Sequence, residues 1–370
     1  MSAQEVLVSA GTQIGIESRN RVRGLDELRG ISILFVMLCH GTVLWNWMPS
    51  EFSGYGFHGV VLFFIVSGYL ITRILMDTRD TPSYFSTFYI NRFFRIWPLM
   101  LVALLVSALL NPSTAKYMVF NLLLVNNYAY AYGIEPMFRT DVMWSLAIEE
   151  QFYLIWPALV ALLAGKHLRA AASLVVLLGL MFDAGLIPSG AGPVFKTTHG
   201  NMQYIAMGAL IATGRDGVRW VVGTWAAFVL IWIVSKGMHA LTDFRYIWHG
   251  ISLILALVVH GTVYGRFALS NSFLAYSGRL CYGLYIIHFF VSAYTLQFLG
   301  RGFFLPGAVY VGLSFLLAMA SFRFFEMPVM RKRPLFHNPG AQRTWLILGL
   351  TVTILCSVVG MMNLLILGSR

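Results

Sequence analysis

Twelve apolar stretches follow one another along the chain with only short polar breaks between them. They fall at 30–48, 57–76, 96–111, 117–132, 143–165, 169–187, 200–213, 219–236, 246–264, 279–298, 304–325 and 344–367. About 20 apolar residues match the roughly 30 Å hydrocarbon core of a bilayer, so the pattern predicts an all-α, polytopic transmembrane helical bundle. One stretch departs from it. Residues 117–132 include Asn121, Asn126, Asn127 and four tyrosines, which are costly against lipid. This stretch is expected to be a partial or re-entrant helix buried in protein, leaving about 11 crossings.

The polar breaks set the orientation. The stretch 77–95 intersperses Tyr84, Phe85, Phe88, Tyr89, Phe93 and Phe94 with Asn91, Arg92 and Arg95. It reads as an amphipathic helix on the inner surface, with Pro98 near the start of the next span. With the N-terminus inside, only Lys116, Arg139, Lys196, Lys236, Arg245, Arg301 and Arg370 of the 26 Lys and Arg fall outside. The positive-inside rule therefore predicts a cytoplasmic N-terminus and an extracytoplasmic C-terminus.

Composition agrees. Of 370 residues, 58% are hydrophobic and 11% charged, as in a polytopic membrane protein. The net charge of +11 sits in short loops, so topology explains it and no nucleic-acid partner is expected. Cys39, Cys281 and Cys356 all lie in apolar stretches without paired spacing, and no metal site is expected. Residues 1–28 lack the pattern of a cleaved signal peptide and read as a cytoplasmic tail. A membrane domain follows over 29–335, then a linker and a last helix over 336–370.

Candidate chemistry begins with Arg29 and His40. Eleven residues separate them, about 16 Å along a helix, and the two side chains fall within about 20° of one face. A cation at the membrane surface and an imidazole near mid-bilayer share that face. By itself His40 is equally compatible with a packed core histidine. Arg92 and Arg95, three apart, share a face and suit either headgroup anchoring or clamping of a phosphate. Ser67 and Gly68 form a small pair that permits close helix packing or passage of a ligand arm. Glu149 and Glu150, within Trp144-Ser145-Leu-Ala-Ile-Glu149-Glu150-Gln-Phe152-Tyr153, point about 100° apart toward different partners. His288 follows Tyr282-Gly283-Leu-Tyr285 and reads equally well as a packed residue. Glu326 is expected to pair with the run Arg331, Lys332 and Arg333.

In this order the motifs resemble the membrane-bound acyltransferase-3 family of O-acyltransferases. The matching pieces are Arg29 with His40, Phe63-Phe64 to Ser67-Gly68, and Phe88-Tyr89 to Arg92, Arg95 and Pro98. Trp144-Ser145-Leu with Glu149 and Phe152-Tyr153, Tyr282 to His288, and Glu326 with Pro328 complete the set, over about residues 22–335. The resemblance implies a ten-helix core in a bacterial cytoplasmic (inner) membrane, to which 344–367 adds one C-terminal helix. It implies transfer of an acetyl or other short acyl group from acetyl-CoA, as co-substrate, to a glycan or lipid-linked glycan hydroxyl. Some relatives continue into an extracytoplasmic domain; with Arg370 as the last residue, none is expected here. Relatives often carry an arginine near Asn201, where this sequence reads Thr197-Thr-His199-Gly-Asn201.

The resemblance implies that Arg92 and Arg95 bind acyl-CoA, with Arg29 adding charge and Ser67 and Gly68 flanking the pantetheine arm. His40 is expected to act as general base, its imidazole suited to deprotonating a hydroxyl, and Glu149 to orient the imidazole or the acceptor. An acyl-histidine step stays open. Trp144, Ser145, Glu150, Tyr153, Tyr285 and His288 are expected to support the site. Two other readings remain: a proton-coupled transporter with His40 and Glu149 as a relay, and an acyltransferase acting on a cytoplasmic small molecule. Membrane lipid is the other expected partner, and oligomeric state is not legible.

Overall fold

The structure is a computed structural model that describes residues 23–44, 52–188, 194–236, 244–302 and 304–333. The expected last span, 344–367, and nearly all of the N-terminal tail lie outside the described residues. Every regular element among those described is helical. Helix α1 (Arg23–Gly41) ends in a 3-10 turn at Thr42–Leu44, and α2 (Phe52–Thr78) and α3 (Tyr84–Leu110) follow. Two short helices, α4 (Met118–Leu122) and α5 (Asn126–Ala131), precede α6 (Met143–Leu162). Then come α7 (Gly165–Asp183), α8 (Met202–Ala212), α9 (Gly217–Lys236), α10 (Phe244–Val263) and α11 (Ser272–Leu299). Helix α12 (Leu305–Ser321) passes through a π turn at Phe322–Glu326 into α13 (Met327–Arg331).

Among the described residues, six helical stretches are long and apolar enough to cross a bilayer: Gly56–Thr78, Tyr84–Leu110, Gly165–Asp183, Gly217–Lys236, Ser272–Leu299 and Leu305–Arg331. The protein is a multi-pass helical membrane bundle. Helices α1 and α6 have 19 and 20 residues but are not among the six. Their polar residues are the cause: Asp26, Glu27 and Arg29 on α1, Glu149 and Glu150 on α6. The carboxyls among them, Asp26, Glu27, Glu149 and Glu150, are all buried within protein rather than set against lipid.

Backbone contact locks the centre. Helices α1 and α11 run side by side, and a Cβ at Gly30 or Gly278 would strike the carbonyl of Leu274 or Asp26. Helices α2 and α8 meet in the same way, with Gly68 against the Ile205 carbonyl and Gly208 against that of Ile65. Without a hydrophobic drive between helices in lipid, such small-residue crossings gain van der Waals contact instead.

Three expectations change or sharpen. Residues 84–95 do not lie flat as a separate surface helix; they are the first half of the continuous α3, with Pro98 inside it. Aromatic anchoring to α6 accounts for this: the Tyr84 hydroxyl donates to the Pro157 carbonyl at 2.9 Å and the Tyr89 hydroxyl to that of Leu154 at 3.0 Å. The predicted crossing at 200–213 is only the 11-residue α8, about 16 Å long and half a bilayer deep. Its residues Gln203–Ala212 are all buried, as non-spanning backbone at that depth requires. The stretch 117–132 is broken into short helices with Asn121, Asn126 and Asn127 buried. It does not span.

Candidate functional site

Helices α1, α2, α3, α6 and α11 surround a polar core that has two ends. At one end stand three arginines. Arg29 on α1 donates from Nη2 to Cys281 Sγ at 2.9 Å, and its Nη1 lies 4.0 Å from Asp26. Its guanidinium also sits 5.7 Å from the ring centre of Phe63. Arg92 rests over Tyr153 at 4.8 Å and Phe88 at 6.0 Å. Arg95, exposed, lies within the electrostatic reach of both Arg29 and Arg92. Three residues apart on the continuous α3, Arg92 and Arg95 share one face of that helix.

Carboxyls gather nearby without closing on these cations. Glu149 is buried with the Ser67 and Tyr153 hydroxyls turned toward it, and Arg92 and Arg29 act on it. Ser67 and Tyr153 are themselves hydrogen-bonded. Glu150, one step round the helix, faces Arg92 and Tyr282. Glu326, at the end of the π turn, takes a 2.9 Å hydrogen bond from Ser321 and acts with Arg95. It makes no ion pair with the basic residues described after it, contrary to expectation, because the π turn directs it back toward α11, close to Gly283. Among the described residues, no carboxylate lies within 4.0 Å of Arg92 or Arg95.

Tyrosines brace the middle. Tyr282 donates to the Ile96 carbonyl at 2.6 Å, fixing α11 to α3. Tyr285 lies 2.5 Å from the Val142 carbonyl and 2.7 Å from Ser145 Oγ, fixing α11 to the start of α6.

At the other end are two imidazoles. His40 Nδ1 lies 3.0 Å from His288 Nε2, and His288 Nδ1 lies 2.9 Å from the Leu284 carbonyl. Phe289 stands edge-on to His40, with ring centres 5.3 Å apart. Arg139 is poised over the same Phe289, at 5.9 Å, and over Phe138 at 5.0 Å. Its φ of 57° is left-handed, an uncommon conformation for a residue with a side chain. Asp141, in the turn before α6, has its carboxyl pushed above the usual carboxylate value by burial, while Lys196 and Arg139 pull the other way. Aromatic rings line this end: Trp144 stacks with Phe57 at 6.3 Å and meets Phe195 edge-on at 6.3 Å.

The structure brings most of the sequence candidates together but sorts them differently. Glu149 does not hold His40; it belongs to the arginine end, and His288, 248 residues away in sequence, takes the place beside the imidazole. Ser67 faces the site, whereas Gly68 is spent on packing against α8. Asn201 is no open contact: its amide donates to the Phe195 and Thr197 carbonyls, both at 2.8 Å, bracing the segment before α8. Cys281, Phe289 and Glu326 at the site were missed as partners, since nothing in their spacing joins distant helices.

Comparison with known proteins gives a consistent answer. The family profile described as an acyltransferase domain matches residues 22–323. The O-acetyltransferase OatA of Staphylococcus aureus strain NCTC 8325 is 28% identical over 370 residues, covering 84% of this chain and 57% of its own length. A Staphylococcus aureus strain COL protein named by inference as an O-acetyltransferase is 28% identical over 364 residues, covering 84% and 58%. The chain thus spans less than two thirds of these curated relatives. No solved structure is significantly similar to it.

Proposed function

Since the chain belongs to the acyltransferase family whose profile covers most of it, we propose that it is a membrane O-acyltransferase. It moves an acetyl or other short acyl group from acetyl-CoA to a hydroxyl of a cell-surface glycan or its lipid-linked precursor. The single observation that carries this reading is the pairing of an arginine cluster open to an anion with an imidazole about 16 Å further along α1. Arg92, Arg95 and Arg29 hold the donor's phosphates, as guanidiniums do through charge-assisted hydrogen bonds. The pantetheine arm runs inward past Ser67 and Tyr153. The thioester then lies at His40.

There the acceptor hydroxyl gives its proton to His40 as its oxygen attacks the thioester carbon. A carbon–oxygen bond forms, the carbon–sulfur bond breaks, and the departing thiolate takes the proton from His40. The acceptor approaches from the opposite end, past Trp144, Phe195 and Arg139, where aromatic faces suit a sugar ring. Glu149 holds the arginine end in register and takes no part in the proton transfer. A His40–Glu149 proton relay, as a transporter would need, finds no hydrogen bond between the two.

The proposed setting is the bacterial cytoplasmic membrane with the arginine end inside. Oriented proteoliposomes test it, with acetyl-CoA supplied at the cytoplasmic face and acceptor enclosed on the other. Transfer across the two compartments, with release of free thiol, is expected. Transfer only when both substrates share the cytoplasmic side would defeat the opposite-side arrangement.

A further inference from the structure

His288 is a fully buried titratable side chain to which the transfer step assigns no task. It sits on α11 with Nδ1 at 2.9 Å from the Leu284 carbonyl and Nε2 at 3.0 Å from His40 Nδ1. We propose that His288 is a positioning residue that fixes the proton of His40 on Nδ1, leaving His40 Nε2 as the nitrogen that receives the acceptor's proton. The geometry stands on its own; its catalytic consequence rests on the acyltransfer reading.

The assignment follows from donors and acceptors. A carbonyl oxygen can only accept, so the proton in the contact with Leu284 belongs to His288 Nδ1. In a neutral imidazole the second nitrogen then carries a lone pair. His288 is neutral here because an imidazolium buried without a carboxylate is costly, and no ion pair to it exists among the described residues. His288 Nε2 is therefore an acceptor, and the proton between the two rings comes from His40 Nδ1. The reverse arrangement would set a lone pair of His288 Nδ1 against those of the Leu284 oxygen. The Tyr285 backbone, also an acceptor beside the ring, asks for the same donor, and the Tyr285 and Phe289 rings stay 6.0 and 6.2 Å away between centres.

The Val36 carbonyl, one turn back on α1, also acts on the His40 ring as an acceptor. His40 Nε2 is left with a lone pair toward the site, and it is not among the sealed-off polar atoms. An incoming hydroxyl meets the correct tautomer before any chemistry begins. When His40 takes the proton, its Nδ1–H becomes a charge-assisted donor to His288, which steadies the imidazolium without itself gaining a proton. A carboxylate does this job in the serine hydrolase triad; here a neutral ring does it, in a site where a buried carboxylate would cost more.

Nitrogen-15 NMR of histidine-labelled protein in nanodiscs tests the assignment, with His40→Gln identifying the His40 signals. Wild type should show His40 Nδ1 as the protonated type and Nε2 as the unprotonated type. His288→Leu should mix the two tautomers, and His288→Gln, whose amide oxygen can accept the same proton, should restore the wild-type pattern. Acetyl transfer should follow, with kcat falling about tenfold or more in His288→Leu, largely recovered in His288→Gln, and KM for acetyl-CoA unchanged. A protonated Nε2 in wild type would overturn the proposal, whether or not His288→Leu folds. So would a His288→Leu variant that keeps the wild-type tautomer. Failure of the acyltransfer reading shows separately, as wild type releasing no thiol from acetyl-CoA.

Discussion

The two ends of the site differ in how their polar groups are satisfied. At the arginine end, Arg92 rests over two aromatic rings, Arg95 is exposed in the repulsive field of Arg29 and Arg92, and no carboxylate among the described residues comes within 4.0 Å of Arg92 or Arg95. At the imidazole end, His40 and His288 form a chain of hydrogen bonds anchored on a backbone carbonyl. Unpaired cations in a membrane protein are costly, and they persist where a ligand supplies the missing charge. A chain anchored on the backbone needs nothing from outside to stay in place. On the proposed reading, the first end receives an anion and the second holds a reactive nitrogen still.

Mutations that act on only one end should separate these roles. The largest effect is expected at the imidazole end: His40→Ala should lower kcat by roughly 10²–10⁴-fold while the protein still inserts and folds. Turnover near wild type in a well-expressed variant would remove His40 from the chemistry. The next largest belongs to the arginine end. Arg92→Gln and Arg95→Gln should each raise KM for acetyl-CoA about tenfold, since hydrogen bonds to charged groups are worth about 1.5 kcal/mol or more. Steady-state kinetics on both substrates checks the expected split, in which acceptor KM stays put. A smaller effect should come from Arg139→Gln, at a residue poised over Phe289 on the proposed acceptor side. Acceptor KM should rise a few-fold, about 1 kcal/mol, with donor KM unchanged. An unchanged acceptor KM would leave Arg139 outside the acceptor path.

Much of this comparison could be read before the structure. Arg29 and His40 fall on one helix face because eleven steps of about 100° return to the starting side, a local rule that no tertiary contact overrides. The three asparagines in 117–132 marked a non-spanning stretch for an equally local reason, the cost of amides in lipid. Contacts between distant helices were hidden. Nothing in the spacing of Tyr282, Tyr285 and His288 tells which helix faces them, so His40 lacked its partner and Glu149 was expected to orient either the imidazole or the acceptor. Pro98 misled in another way. Proline favours helix starts, yet Tyr84 and Tyr89 pin the first half of α3 to α6 firmly enough for the helix to continue through it. Gly68 shows the same limit, since only the position of α8 tells that its missing side chain makes room for the Ile205 carbonyl.

Donor binding at one end and transfer at the other, as proposed, are separable by a single binding measurement. Calorimetric titration of coenzyme A, lacking the acyl group, into purified protein tests this separation most directly. Wild type and His40→Ala should bind with the same affinity, while Arg92→Gln and Arg95→Gln should each weaken binding about tenfold. Equal affinity in all four proteins, or loss of binding in His40→Ala with the arginine variants unaffected, would contradict the account.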